Sequence, residues 1–432
     1  MLSCFPSCFL CDFSNTLLSD PRTTNMANKL EDTVAAASPD FLAQKDLERR
    51  DSIGDHLDNT TVRSLSWHDV TVRVKDRKTK QPIAILSSAS GFVEAGQVVA
   101  LMGPSGSGKT TLLNVLAHRT TANAEILGQV MINNERASLN AVRNLSSYVE
   151  QEDALIGSLT VKETISFTAR LALPSSVSKK ERALRVDDLL DAFGIQGQAN
   201  TLVGTPIRKG ISGGQKRRLS VASQLIADPR ILFLDEPTSG LDSAASFEVM
   251  NYIKRIAVQH RLIVVASIHQ PSTATFALFD QLMLLSRGET CYFGPRAGVQ
   301  SYFSNISHPI PAYTNPAEFL LELVNVDFAK DKDLSRTRLQ LVHSAWANSA
   351  QAAQAKSQIQ TGAPPKLASE KASIQDYSVE KRNVGIVTVV LLHRSWIKSY
   401  RDVIAYGIRI AMYAGLAIMA RLTSYNCPTP IG

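Results

Sequence analysis

The apolar positions change rhythm several times along the 432 residues. Over residues 1–60 no period is sustained, and Ser, Thr, Asn, Asp and Lys dominate, so this stretch reads as a disordered leader. From Ser64 the pattern becomes regular. Leu65-Ser-Trp-His-Asp-Val-Thr-Val-Arg-Val74 alternates as a half-buried strand does. Phe92–Glu94 and Val98–Met102 read as further strands, with a turn at Gly96. Val98-Val-Ala-Leu-Met102 has no polar face, as expected of a strand covered on both sides. It runs into a glycine-rich turn and then a helical pattern, Thr110–His118. Ser147–Glu150, Ile231–Leu234 and Leu262–Ile268 are further short strand-like runs, so the organised body reads as α/β.

Beyond residue 325 the rhythm changes again. Residues 326–383 are rich in Ala, Ser, Gln and Lys and contain Gly362-Ala-Pro-Pro365, which predicts a mobile linker with some helix around Leu339–Gln351. Residues 384–401 combine Val384, Val387, Leu391 and Ile397 with His393, Arg394, Lys398 and Arg401. That pattern suits a helix lying on an inner membrane surface, basic groups on anionic headgroups, or else an amphipathic core helix. Residues 403–420 are apolar except at Arg409, whose side chain can snorkel to the interface. A full span needs about 20 apolar residues, so this reads as a partial transmembrane helix, with 421–432 as an irregular tail.

Composition narrows the class. With 44% hydrophobic and 20% charged residues, the chain is neither an acidic disordered polymer nor a multi-span membrane protein throughout its length. The net charge of +7 points weakly to an anionic partner: nucleic acid, an inner membrane surface or nucleotide. Solvated surface charge accounts for it equally well. Cys4, Cys8, Cys11, Cys291 and Cys427 are odd in number and fit no disulfide framework, which suggests a reduced cytosolic body. The first three lack a fourth ligand for a tetrahedral metal. No Lys or Arg precedes the apolar Cys/Phe/Leu stretch and Pro6 interrupts it, so a secretory signal is not expected; Met26 is an alternative start.

Three motifs carry chemistry. Gly103-Pro104-Ser105-Gly106-Ser107-Gly108-Lys109-Thr110-Thr111 matches G-x-x-x-x-G-K-[ST], between a strand and a helix. Such a loop turns backbone N–H groups onto phosphate at a helix N-terminus. Lys109 would reach the β and γ phosphates and Thr110 would hold Mg²⁺. Arg230-Ile-Leu-Phe-Leu-Asp235-Glu236 ends an apolar strand on two carboxylates: Asp235 for Mg²⁺, Glu236 as general base. Upstream, Ser212-Gly213-Gly214-Gln215 opens a helix as a second anion site or as an ordinary N-cap.

Together with Gln151, Ser239-Gly-Leu-Asp242 and His269, these motifs resemble the nucleotide-binding domain of an ABC ATPase over residues 61–325. Gln151-Glu-Asp-Ala-Leu, Leu159-Thr-Val-Lys-Glu-Thr, Tyr292-Phe-Gly-Pro295 and Asn315-Pro-Ala-Glu-Phe319 narrow the likeness to the G subfamily of pigment, sterol and drug half-transporters. The resemblance implies a P-loop NTPase with a mixed sheet and a helical subdomain, followed by an elbow helix and a first membrane span. It implies a nucleotide sandwich in a homo- or heterodimer. One chain supplies Lys109, Thr110, Gln151, Asp235, Glu236 and His269, and the other closes with Ser212, Gly213 and Gly214. Gln151 senses Mg²⁺ and the γ-phosphate, His269 orients the water, and Asp242 lies at the seam. Many ABC domains stack adenine on an aromatic near the first strand; Val72 and Val74 stand there, and Trp67 lies too early.

ATP, Mg²⁺, membrane lipids and a hydrophobic small-molecule cargo follow as expected partners, with the ATPase cytosolic at a membrane and no nucleic acid. The family expects about six spans, against at most one here, so the sequence reads as a fragment or as a truncated ATPase or regulatory partner. A soluble ABC ATPase of translation or repair is the other class. It usually carries two ATPase domains or a long coiled coil, and no second phosphate-loop motif occurs here.

Overall fold

The computed structural model describes residues 57–76, 81–119, 124–152, 154–205, 208–326, 332–361 and 383–425. The leader up to residue 56, Gly362–Pro365 and residues 426–432 lie outside the described residues. The chain opens with β1 (Ser64–Lys75), β2 (Pro82–Glu94), β3 (Val98–Met102), α1 (Lys109–Leu116), β4 (Ala124–Ile132), β5 (Glu135–Arg136), α2 (Leu139–Leu145) and β6 (Ser146–Val149). A helical section follows: α3 (Val161–Ala172), α4 (Lys179–Ala192) and α5 (Gly213–Leu225). Next come β7 (Ile231–Leu234), α6 (Ser243–Gln259), β8 (Ile263–Ser267), α7 (Thr273–Ala277), β9 (Gln281–Ser286), β10 (Glu289–Pro295), α8 (Val299–Asn305) and α9 (Pro316–Val324). The last helices are α10 (Lys332–Ala347), α11 (Ala350–Thr361), α12 (Val384–Arg401) and α13 (Val403–Tyr425).

Two sheets organise these elements. The six-stranded one runs β10-β9-β3-β8-β7-β6. Its members from β9 to β6 are parallel, and β10 returns antiparallel along β9. Every residue of β3, β7 and β8 is buried, because helices cover both faces of a parallel sheet. The four-stranded antiparallel sheet, β2-β1-β4-β5, stands beside it. Trp67 joins the two: fully buried in β1, it meets Phe293 of β10 edge-on with ring centroids 6.0 Å apart. Gly91 lies opposite it in β2, where any Cβ would strike the indole.

The chain after residue 325 departs from the linker that its composition predicts. Two helices, α10 and α11, pack on β10 and β2. Leu339, Val342, Trp346 and Ala352 are buried there. Trp346 stacks at an angle against Tyr292 and Tyr302, with centroids 5.6 and 5.8 Å away. A polar-looking segment is thus held by a few apolar side chains at helical spacing.

Helix α12 packs on α3. Val390 buries against Phe167 and Leu159, with Ile156, Leu171 and Ile397 around them. Two basic residues that the sequence offers to headgroups turn instead toward α3. His393 meets Phe167 edge-on at 5.5 Å, and Arg401 forks onto the Glu163 carboxylate at 2.6 and 2.9 Å. The opposite face of α12 exposes Val384, Val389, Leu392, Trp396 and Tyr400. Helix α13 continues past Ala420 to Tyr425, so residues 421–425 extend the helix rather than starting an irregular tail. Among the described residues no helix is long and apolar enough to cross a membrane.

The Arg401 hydrogen bonds hold the Glu163 carboxyl below the usual carboxylate range, with burial opposing. A depressed carboxylate keeps its stabilising effect above its ordinary pKa and loses it only as pH falls through the lowered value. Arg401→Met should therefore speed hydrogen exchange in α12 at pH 7 by up to about fivefold, the equivalent of about 1 kcal/mol for a partly exposed pair. The native pair should still protect α12 at pH 5. Unchanged exchange in the variant would remove the pair from that role.

Candidate functional site

The carboxyl ends of neighbouring parallel strands β3, β8, β7 and β6 share one edge of the sheet, the usual place for a ligand in an α/β fold. The phosphate-type loop follows β3, His269 follows β8, Asp235 and Glu236 follow β7, and Gln151 follows β6. The topology thus gathers residues scattered over more than a hundred positions.

At Gly103 the chain turns sharply, with φ 153°, and a Cβ there would collide with the Leu285 carbonyl of β9. That packing fixes the loop against the sheet before it enters α1. Lys109, the first residue of α1, is buried and folds back so that Nζ donates to the carbonyls of Gly103 and Pro104 at 2.8 Å each. Burial pulls its ammonium below the ordinary lysine range, while Glu236 and Asp235 pull it partly back.

Asp235 is the most connected side chain of the site. Its Oδ1 accepts from Ser267 Oγ at 2.7 Å and from Thr110 Oγ1 at 3.1 Å. Its Oδ2 accepts from the Tyr148 hydroxyl at 3.1 Å. Burial and the carboxylate beside it push the Tyr148 phenol up, so it remains a donor. Glu236 adopts a left-handed conformation, φ 44°, which a non-glycine residue holds only when its surroundings enforce it. Its N–H donates to Ser267 Oγ at 2.8 Å, and its carbonyl accepts from Arg217 Nη2 at 2.7 Å. Its carboxylate accepts from Gln151 Nε2 at 2.7 Å.

Arg217, on the signature helix α5, is 2% exposed. Its guanidinium donates to the carbonyls of Glu150, Asp235, Glu236 and Pro237 at 2.7–3.1 Å. The helix that begins at Ser212 is thereby tied to the strand ends of β6 and β7.

A cavity of about 240 Å³ opens over the loop, lined by Ser105–Thr111, Glu236 and Ile85. Ser107 is buried there and its hydroxyl has no protein partner. Backbone donors at the start of α1, a lysine and an unpartnered hydroxyl fit a polyphosphate. The oxygens of Thr110, Asp235 and Gln151 are hard donors of the kind Mg²⁺ takes alongside phosphate.

The structure brings Lys109, Thr110, Gln151, Asp235 and Glu236 into one site. Ser212, Gly213, Gly214, Gln215 and Asp242 do not line its cavity. Ser212 and Gln215 form a reciprocal capping box at the start of α5, and Asp242 caps α6 by accepting from Ala245 N at 2.8 Å. Ser212, Gly213 and Asp242 are exposed. His269 is exposed as well, two residues beyond β8. Val72 is fully buried in the core and cannot serve as a base platform; the apolar side chain on the cavity is Ile85. Tyr148, Ser267 and Arg217 escaped the reading of the sequence. Their partners are far along the chain, and Arg217 sits in a Lys-Arg-Arg run that looks like surface charge.

A strand–glycine loop–helix with its carboxylates two strands away, across β8, defines a P-loop nucleotide-binding domain of the ABC type. The comparisons with known families agree. The ABC transporter family model matches residues 86–239 and the ABC-2 type transporter model matches residues 269–383. Over that second range the described residues form β9, β10 and packed helices. The chain is 37% identical over 371 residues to ABC transporter G family member 11 of Arabidopsis thaliana, covering 81% of this chain and 51% of that protein. It is 38% identical over 360 residues to ABC transporter G family member 1 of Petunia hybrida, covering 82% and 55%. A Dictyostelium discoideum relative, ABC transporter G family member 1, is 41% identical over 268 residues, 62% of this chain and 33% of its own. The chain belongs to the ABC transporter G family. It spans about half the length of the two plant relatives. Nucleotide-binding domains of this family hydrolyse ATP.

Removing Arg217 would take a donor from four carbonyls, two of them, those of Asp235 and Pro237, in buried hydrogen bonds. Arg217→Met should lower unfolding stability by about 1–3 kcal/mol, read from urea denaturation. A variant as stable as the native chain would contradict the bonding described.

Proposed function

We propose that this chain binds ATP with Mg²⁺ and hydrolyses it, as the ATPase part of a half-transporter working as a dimer. The observation that carries the reading is the cavity at the strand ends lined by Lys109, Thr110 and Glu236, with Asp235 bonded to Thr110 and Gln151 to Glu236. Lys109 Nζ exchanges its two loop carbonyls for β- and γ-phosphate oxygens. Thr110, Asp235 and Gln151 hold Mg²⁺, which neutralises charge building on the phosphates. Glu236 takes a proton from the attacking water as its oxygen bonds to the γ-phosphorus. The bond to the β–γ bridging oxygen then breaks and ADP departs. Gln151 holds Glu236 Oε2, which leaves Oε1 to take the proton and ties the position of the base to that of Gln151. His269 contacts the γ-phosphate and orients the water.

Ser212 and Gly213 stand exposed, Gly214 half-buried beside them, and all three lie away from their own loop, which suits a role in closing the site of a second copy or a related half-transporter. Asp242 would lie along that seam. The exposed apolar faces of α12 and α13 suit contact with membrane lipids, the ATPase domain being cytosolic. Joined to further membrane helices, the dimer would move a hydrophobic, lipid-like small molecule.

Glu236→Gln should keep ATP binding and lower turnover by about 10²- to 10⁴-fold, the usual worth of a general base. Phosphate release and equilibrium binding of labelled ATP are the measurements. Undiminished turnover would remove Glu236 from the base role.

A further inference from the structure

The Asn315-Pro-Ala-Glu-Phe319 element takes no part in the site as described so far, yet it touches the segment that carries His269. The turn after β8 runs His269-Gln270-Pro271-Ser272. It begins firmly, because Ile268 N donates to the Leu101 carbonyl of β3 at 2.9 Å. Gln270 then enters the left-handed region with φ 45°. A glutamine there is strained and persists only where both sides of the turn are held. Pro271 is buried and its carbonyl accepts a hydrogen bond from Asn315 Nδ2 at 2.9 Å. Ser272 caps α7 immediately afterwards.

Asn315 does two things with one amide. Its Oδ1 accepts from Ala317 N at 3.1 Å and caps α9, while its Nδ2 reaches Pro271. The two partners, a backbone N–H and a carbonyl, fix which end of the amide is oxygen. Helix α9 is itself anchored in the core. Leu320 and Val324 are buried, and the Val324 carbonyl accepts from Ser286 Oγ of β9 at 2.8 Å.

We propose that Asn315 is a positioning residue for His269: its amide clamps Pro271 and so holds the strained turn that presents the imidazole to the γ-phosphate. The claim rests on the ATPase reading above. The cap alone would tolerate Asp or Ser at 315, since both cap helices well. The clamp would not, because a carboxylate has no donor and a Ser hydroxyl ends one bond nearer the backbone than the Asn315 Nδ2 that reaches Pro271.

The test uses the full chain and four variants: His269→Ala, Asn315→Asp, Asn315→Ser and Asn315→Asp/His269→Ala. Both single Asn315 variants should unfold within a few degrees of the native chain and bind ATP with unchanged affinity. Their kcat should fall by up to about 100-fold, with KM little altered, as expected when a reacting group is displaced by an ångström. The double variant should be no slower than His269→Ala alone, since the clamp acts through the histidine. Multiplying losses, or native kcat in both single variants, would overturn the proposal. A second measurement does not depend on hydrolysis. In chain labelled at histidine Cε1, the His269 resonance, assigned by its loss in His269→Ala, should shift in both Asn315 variants. If the native chain shows no turnover, the ATPase reading fails, and this resonance alone decides the clamp; an unmoved signal would refute it.

Discussion

A carboxylate buried at the end of a strand has to be paired, and here the pairing of Asp235 organises the site. The side chain is 6% exposed and accepts from Thr110, Ser267 and Tyr148. Those donors belong to the start of α1, the end of β8 and the end of β6. Leaving such a charge without partners in a low-dielectric setting is prohibitive, so three separate elements are held to one point. The phosphate loop, Glu236 and Gln151 take their places around it. Arg217 extends the same knot to the signature helix through backbone carbonyls. A change in the site's ligand state therefore has a direct mechanical route to Ser212, the residue proposed to face a partner's nucleotide.

Much of this was legible in residue order because its signals are local. The phosphate loop announces itself within nine residues, and β3 and β7 throughout, and β8 up to Ser267, are apolar because helices sandwich them. Two stretches of strand that went unread have mixed faces. Most of β4 is exposed, and the first half of β2 carries Pro82, Ile83 and Ala84 in the open, so neither shows a clean alternation. Residues whose value lies in a distant contact were invisible. Tyr148 meets Asp235 across 87 positions and Arg401 meets Glu163 across 238. No spacing rule reports such pairs.

The helices after the ATPase domain show how composition misleads. Lys332–Ala347 looked like linker with only some helix because its polar residues together outnumber its apolar ones. Leu339, Val342 and Trp346 nevertheless fall on one side, and an aromatic cluster on β10 and α8 receives them. Likewise α12 reads as a surface helix by its periodicity, but Val390 and Arg401 bind it to the helical section through packing and a forked ion pair. The same helix thus offers one face to the ATPase and another, apolar, to its surroundings.

The central claim is that Asp235 draws the metal into the nucleotide site. Calorimetric titration with ATP, with and without Mg²⁺, of the native chain and of Asp235→Asn tests it directly. The account predicts that Mg²⁺ tightens ATP binding to the native chain, while Asp235→Asn binds metal-free ATP as the native chain does and gains nothing from Mg²⁺. A variant that keeps the full Mg²⁺ gain would contradict it.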